Sequence, residues 1–122
     1  MNIVYIFIGG GLGSIARYAI GKGATKAFAV DFPLGTFVSN VLACIILGLV
    51  VYTFSDQLKA HAWVQPLLVV GFCGGFSTFS SFSNETIQLV QTGHLAMAIA
   101  NVLISLVAGF GIIYFLSTNA TK

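Results

Sequence analysis

The chain has 122 residues, of which 57% are apolar and only 7% are charged, and its formal net charge is +2. A soluble domain carries about 25% charged residues, so a water-exposed globular fold is excluded, and the charge is too small and scattered for a nucleic-acid-binding surface. One helical crossing of a bilayer takes about 20 apolar residues, so four crossings would use nearly the whole chain.

Four apolar segments follow one another, and we predict that each is a membrane-spanning helix. They are residues 3–20, 33–54, 64–90 and 95–116. A transmembrane β-barrel needs alternating segments of about ten residues, whereas these runs are apolar on all sides. The first segment lacks a basic leader and a small-residue cleavage site, so we interpret it as a retained span. The prediction is one all-α integral membrane domain, residues 1–122, embedded in a lipid bilayer.

Basic residues are divided almost evenly between the two sides of the predicted membrane domain. Lys22 and Lys26 follow the first span, whereas Lys59 and Lys122 lie on the opposite side, and Arg17 tips the count only slightly. Because an excess of Lys and Arg on one side normally fixes orientation, this balance predicts insertion in both directions. Two copies would then pair as an antiparallel dimer. The alternative is one orientation that is fixed by factors other than charge.

Small residues recur on the first and third spans. Gly9 and Gly13 form one G-x-x-x-G pair, and Gly71 and Gly75 form another. Small faces let helix backbones approach closely, so we predict that these glycines pack helices. The two cysteines, which also fall inside apolar segments, are interpreted as small packing residues.

The third span departs from an ordinary lipid-facing helix in residues 74–83. Two glycines weaken the helix there, and three phenylalanines recur at three-residue spacing among hydroxyl residues. The phenylalanines are Phe76, Phe79 and Phe82, and the hydroxyl residues are Ser77, Thr78, Ser80, Ser81 and Ser83. Hydroxyl groups and irregular backbone inside a bilayer need partners or a cavity to line. We therefore predict that this helix is broken near the membrane centre.

Ring edges and hydroxyl groups on one helical flank offer an anion hydrogen-bond donors without a fixed charge. Further polar residues lie within other spans, namely Thr36, Asn40, Asn101 and Ser105, and such residues are usually functional or paired. A break also frees main-chain carbonyls for a cation. The plainer alternative is that the rings pack and the hydroxyl groups bond helix carbonyls, so that the segment only kinks the helix.

Three motifs in order resemble the CrcB (Fluc) family of fluoride channels along nearly the whole chain. They are residues 9–18 (GGGLGSIARY), residues 35–40 (GTFVSN) and residues 71–82 (GFCGGFSTFSSF). The resemblance implies an antiparallel homodimer with two pores that pass fluoride passively out of the cytoplasm, in the inner membrane of a bacterial cell. It also implies a structural sodium ion at the dimer interface, held by main-chain carbonyls of Gly74 and Ser77.

The same resemblance implies roles for individual side chains. Phe79 and Phe82 correspond to the pore phenylalanines and Asn40 to the pore asparagine. Hydroxyl-bearing residues are expected beside the pore, namely Thr78, Ser80, Ser81, Thr36 and Ser105. Arg17 and Glu85 are expected to have vestibule or structural roles, and an ion pair between these two is one possibility. Ser77 and Ser81 stand where the family often has Thr, and the fourth span, with Asn101, Ser105 and Gly109, matches less distinctly.

Two other functional classes are compatible with four small spans. A proton-coupled drug exporter needs a titratable carboxylate in a central cavity, and Glu85, the only acidic residue within a span, lies instead beside the predicted break. A membrane scaffold without transport would make the Ser/Phe segment purely structural. No enzyme is predicted, because His61 and His94 stand alone in connectors without a metal-ligand or Ser-His-Asp pattern.

Overall fold

The computed structural model describes residues 2–27 and 32–120. The described chain is helical, which confirms the predicted all-α class. Its elements are α1 (Asn2–Ala27), α2 (Leu34–Gly48), π1 (Leu49–Thr53), α3 (Ser55–Ala60), π2 (Gln65–Cys73), α4 (Gly74–Phe76), α5 (Phe79–Gln91) and α6 (Leu95–Ala120), where π1 and π2 are π-helical. Lys122 and the side chain of Lys26, both used in the charge count above, lie outside what the structure describes.

Four helical stretches are long and apolar enough to cross a membrane. They are Asn2–Ala24, Leu34–Thr53, Gln65–Gln91 and Leu95–Asn119. Large apolar side chains on these helices are exposed, as for Ile3 at 82% and Phe7 at 81%. So much apolar surface is stable against lipid or another chain and not in water. The prediction of a multi-pass membrane protein is confirmed.

Helix α1 packs against π2 and α4 by direct contact between backbones. A Cβ atom added to Gly9 would clash with the Leu67 carbonyl oxygen, and one added to Gly13 would clash with the Phe72 carbonyl oxygen. A Cβ atom on Gly75 would lie 2.5 Å from the Gly10 carbonyl oxygen. No larger residue fits at these crossings without moving a backbone, so the predicted packing role of the glycines is confirmed.

Helices α2 and α6 pack on each other and complete the bundle. A Cβ atom on Gly48 would lie 2.5 Å from Leu116 Cδ1, so this crossing is also close, although a side chain and not a backbone fills the space. Two polar side chains are fully buried in the interior: Ser39 is 0% exposed and Asn101 is 1% exposed. Buried polar groups usually have hydrogen-bond partners, so the partners of Ser39 and Asn101 bear on how the helices are held together.

The third apolar stretch changes conformation midway. Pro66 stands at the start of π2, where its missing N–H costs no hydrogen bond. Helix α4 ends at Phe76, Ser77 (φ −85°, ψ 157°) and Thr78 (φ −153°, ψ 119°) are extended, and α5 begins at Phe79. After α5, Gly93 has φ 85° and makes the turn into α6. The extended pair Ser77–Thr78 divides the stretch into a first half, residues 65–76, and a second half, residues 79–91.

Candidate functional site

Thr78 caps the N-terminus of α5. Its hydroxyl oxygen accepts a hydrogen bond from the Ser81 backbone N–H at 3.2 Å and lies 3.2 Å from Ser80 Oγ. Thr is a favoured N-cap residue because its oxygen satisfies an N–H group that the helix leaves open. The remaining open N–H groups and the helix dipole favour negative charge at this end. The predicted hydroxyl cluster therefore lies at a helix end that favours an anion.

Asn40 on α2 pairs with both backbone groups of Thr78. The Thr78 N–H donates to Asn40 Oδ1 at 2.8 Å, and Asn40 Nδ2 donates to the Thr78 carbonyl oxygen at 3.4 Å. In a continuous helix the Thr78 N–H would donate to the Gly74 carbonyl. The Asn40 side chain thus replaces a helical hydrogen bond and satisfies the extended backbone.

Two carbonyl groups beside the extended pair lose their usual helical donors, and a third accepts from a side chain. The Gly74 carbonyl loses the Thr78 N–H to Asn40, and the Ser77 carbonyl loses the Ser81 N–H, which is bonded to the Thr78 hydroxyl. The Gly75 carbonyl accepts a hydrogen bond from Arg17 Nε at 3.2 Å. Carbonyl groups inside a bilayer need a partner, and those of Gly74 and Ser77 are the main-chain groups here that could hold a cation.

A cavity of about 370 Å³ opens beside the start of α5 and brings together six of the predicted site residues. Its lining consists of Asn40, Cys44, Ser77, Thr78, Phe79, Phe82, Ser105, Leu106, Gly109, Phe110 and Ile113. The rings of Phe79 and Phe82 lie 6.1 Å apart with a tilt of 39°, and Phe79 is 79% exposed. We call this space the aromatic cavity. None of these described lining residues carries a formal charge.

A second cavity, of about 540 Å³, holds charged side chains, and we call it the charged cavity. It is lined by Arg17, Tyr18, Gly21, Lys22, Gly35, Thr36, Ser81 and Glu85. Thr36 Oγ1 donates to Glu85 Oε1 at 2.6 Å. Arg17 and Glu85 therefore share a cavity but bond different partners, the Gly75 carbonyl and the Thr36 hydroxyl.

Two predicted residues lie at the margins of this arrangement. Ser80 is exposed, and its contact is with the Thr78 hydroxyl group. Gly74 is also exposed, and a Cβ atom there would meet nothing within 4 Å. Both positions face away from the packed interior, where lipid or a second chain would lie.

Thr86 belongs to the site although its sequence context did not predict it. This residue donates from its hydroxyl to the Phe82 carbonyl at 2.7 Å and accepts from Asn101 Nδ2 at 2.9 Å. The available signal was its position four residues after Phe82, which places it one helical turn further along the same face of α5. Thr86 joins the polar residues of α6 to the helix that carries the two phenylalanines.

The helices and cavities define a class of protein: a small multi-pass membrane protein with one uncharged and one charged cavity beside its third apolar stretch. Residues 4–116 match the family described as CrcB-like protein, Camphor Resistance (CrcB). The chain belongs to the CrcB family.

Curated relatives extend the match over most of the chain, and each is named fluoride-specific ion channel FluC. The protein of Solibacter usitatus (strain Ellin6076) is 41% identical over 115 residues, 94% of each chain. That of Phocaeicola vulgatus (strain ATCC 8482) is 41% identical over 92 residues, 75% of each chain. That of Coxiella burnetii (strain CbuK_Q154) is 37% identical over 106 residues, 86% of each chain.

Proposed function

We propose that this chain is a fluoride-selective ion channel that lets fluoride leave the cytoplasm passively and so lowers cellular fluoride and its toxicity. The observation that carries the proposal is the aromatic cavity, where the rings of Phe79 and Phe82 and the Asn40 side chain surround the N-terminus of α5. The names of the relatives agree with this reading. Because the family is one of ion channels, the chain is a transport protein and not an enzyme.

The chemistry of the aromatic cavity suits a compact anion. Ring edges carry partial positive charge, and the amide and hydroxyl groups can donate hydrogen bonds. Conduction needs contacts that replace the water around the ion and yet release it, and several uncharged donors meet both needs better than a fixed cation. Fluoride, the smallest halide, gains most from donors that are set close together.

The charged cavity would serve as an approach to the aromatic cavity. Thr36 and Asn40 lie one turn apart on α2, Thr78 caps α5 and Ser81 lies in its first turn, so the two cavities are lined by the same pair of helices. Arg17 and Lys22 give the charged cavity an excess of positive charge over Glu85. Such an excess raises the local anion concentration before the ion reaches uncharged donors.

The functional unit that we propose is an antiparallel homodimer of dual-topology chains. Phe79 is 79% exposed although it lines the aromatic cavity, so a single chain leaves this lining uncovered. The extended pair Ser77–Thr78 would then lie near the membrane centre, where two copies meet. The near-even Lys and Arg count supports insertion in both directions.

The carbonyl groups beside the extended pair fit a structural sodium ion. Those of Gly74 and Ser77 have lost their helical donors, and carbonyl oxygens are the ligands that hard cations prefer. Two carbonyls leave a cation under-coordinated, and a second copy of the chain would double their number. We therefore place the ion at the dimer interface, held by main-chain atoms.

Fluoride efflux from liposomes tests the function directly. Purified protein is reconstituted with internal potassium fluoride, a potassium ionophore is added to balance charge, and released fluoride is measured with an ion-selective electrode beside matched chloride vesicles. We expect fast, ionophore-dependent fluoride release and little chloride release. Equal chloride release would contradict selectivity, and proton-coupled flux that Glu85→Gln abolishes would favour the exporter.

Dimer and sodium are tested in separate measurements. Mass photometry or crosslinking in detergent should give a dimer, and reporters fused to the C-terminus should be active on both sides of the membrane. Replacing sodium by N-methyl-D-glucamine throughout purification should lower thermal stability, and sodium should restore it. A monomer, or a stability that does not respond to sodium, would contradict the corresponding proposal.

A further inference from the structure

A chain of three hydrogen bonds joins α5 to α6 beside the aromatic cavity. Ser105 Oγ donates to Asn101 Oδ1 at 3.3 Å, Asn101 Nδ2 donates to Thr86 Oγ1 at 2.9 Å, and Thr86 Oγ1 donates to the Phe82 carbonyl at 2.7 Å. Ser105 and Phe82, the residues at the two ends of this series of hydrogen bonds, both line the aromatic cavity. Asn101, in the middle of the series, does not line it.

The direction of each bond follows from counting hydrogens. Thr86 has one hydroxyl hydrogen, and the Phe82 carbonyl can only accept, so that hydrogen is used there and Thr86 must accept from Asn101. The Asn101 amide nitrogen therefore faces Thr86. Its carbonyl oxygen faces Ser105, where it takes the only hydrogen that Ser105 can donate. The orientation of the amide is thus fixed by Thr86 and determines the orientation of the Ser105 hydroxyl.

Burial makes Asn101 dependent on these partners. The residue is 1% exposed, so water cannot replace a lost hydrogen bond, and an unpaired amide in apolar surroundings is costly. The two strong bonds, at 2.7 and 2.9 Å, lie on the α5 side. The bond to Ser105 at 3.3 Å is long for an O–H donor and is the easiest of the three to exchange.

We propose that Asn101 is a positioning residue for anion permeation that sets the direction of the Ser105 hydroxyl and its distance from the Phe82 turn. With no anion in the cavity, the Ser105 hydrogen rests on Asn101. When an anion arrives, the hydroxyl rotates and donates to it, so that a charge-assisted hydrogen bond to the anion offsets the loss of the long bond to Asn101 Oδ1. Asn101 acts on the ion through Ser105 and does not touch it. This inference rests on the proposed channel function.

The first test compares Asn101→Leu with Asn84→Leu in the liposome assay. Leucine is close to asparagine in size and has no hydrogen-bonding group, and Asn84 is exposed on α5. We expect Asn101→Leu to lower fluoride efflux about tenfold, as loss of one hydrogen bond at the permeation barrier would, and to lower the ratio of fluoride to chloride efflux. Asn84→Leu should leave both unchanged.

A double variant separates positioning from general structural damage. If Asn101 acts through Ser105, then Asn101→Leu combined with Ser105→Ala should reduce efflux little more than Asn101→Leu alone. A purely structural role would lower the yield of folded protein and leave the fluoride-to-chloride ratio of the surviving channels unchanged. Multiplying effects of the two changes would also overturn the proposal.

A pair of substitutions at Thr86 keeps the test valid if Asn101→Leu does not fold. Thr86→Val keeps the shape and removes the hydroxyl, so it should lower the fluoride-to-chloride ratio, whereas Thr86→Ser keeps the hydroxyl and should restore it. Equal ratios in both variants would contradict the proposal. If the unaltered protein passes fluoride and all of these variants match it, only the role of Asn101 is wrong. If the unaltered protein passes no fluoride, the proposed function fails and this inference fails with it.

Discussion

The two halves of the third apolar stretch are held in opposite ways. The first half, residues 65–76, lies against α1 through backbone contacts at Gly9 and Gly13. The second half, residues 79–91, is held by hydrogen bonds of polar side chains: Asn40 on α2 pairs with the backbone of its N-cap residue Thr78, and Asn101 on α6 donates to Thr86. The packing of the first half depends on glycines, which have no side chain, whereas the position of the second half depends on polar side chains.

This difference separates stability from function along a single stretch of chain. Backbone packing tolerates no added atom and offers no side chain that could bind an ion. Polar side chains, in contrast, can exchange one hydrogen bond for another. Substitutions at the contacts that hold the first half should therefore prevent folding, and substitutions within or against the second half should change permeation in a protein that still assembles. Four sets of substitutions, with effects of decreasing size, test this division and the packing around it.

Gly13→Val should prevent folding. Even the first side-chain carbon would clash with the Phe72 carbonyl and lie 2.9 Å from the Phe76 nitrogen, both backbone atoms, so we expect a loss above about 3 kcal/mol. Gly11→Val is the matched control, because a Cβ atom on Gly11 meets nothing within 4 Å. Yield of monodisperse protein by size exclusion measures the effect. Equal yields of the two variants would contradict backbone packing at this crossing.

Asn40→Asp should suppress fluoride efflux about a hundredfold while the protein still assembles. The change removes the donor to the Thr78 carbonyl and places negative charge beside the aromatic cavity, and about 2.7 kcal/mol of added barrier gives this factor. Asn84→Asp, at an exposed position on α5, is the control for added charge. Efflux at the unaltered rate would remove Asn40 from the anion path.

Phe79→Ile and Phe82→Ile should each lower fluoride efflux about tenfold and leave assembly intact. Each change keeps an apolar side chain but removes ring edges, so the anion loses polarised contacts of about 1 kcal/mol or more. Phe7→Ile, at an 81% exposed ring on α1, is the control. If folded variants conducted like the unaltered protein, the rings would be packing groups, as the plainer reading of the motif holds.

Ser39→Ala should have the smallest effect and the opposite sign. Among the described residues, no hydrogen-bond partner is found for the Ser39 hydroxyl, which is 0% exposed. Removing an unpaired buried hydroxyl should stabilise the protein by about 1 kcal/mol, with efflux unchanged. Thermal unfolding in detergent measures this shift. A loss of stability would reveal a partner for Ser39 in the assembled protein.

Hydropathy and small-residue spacing predicted most of the fold. Four apolar helices and the glycine crossings follow from local composition, because a bilayer dictates helix length and Gly9 and Gly13 leave room only for a backbone. The π-helical segments π1 and π2 were not predicted, since they reflect the fit between helices and not local preference.

The candidate site was only partly predictable. The Ser/Phe motif identified the region, and the structure brings Asn40, Ser105 and both phenylalanines into one cavity. The partners of Asn40 and Arg17 are main-chain groups, which residue identity does not reveal. The role of Thr86 follows from its hydrogen bond with Asn101 on α6, which only the structure shows. Such pairs depend on the register between helices. The roles in permeation and in sodium binding stay predictions.

The pairing of Asn40 with Thr78 has a consequence for the order of biosynthesis. The groups that bond the backbone of the interrupted stretch, Arg17 and Asn40, both come earlier in the chain, as do the glycines on which its first half rests. Chains are made from the N-terminus, so these partners have already been synthesised when Thr78 leaves the ribosome. The interruption can form before the fourth span has been synthesised. The hydrogen bond to Thr86 can form only later, because its donor Asn101 lies on α6.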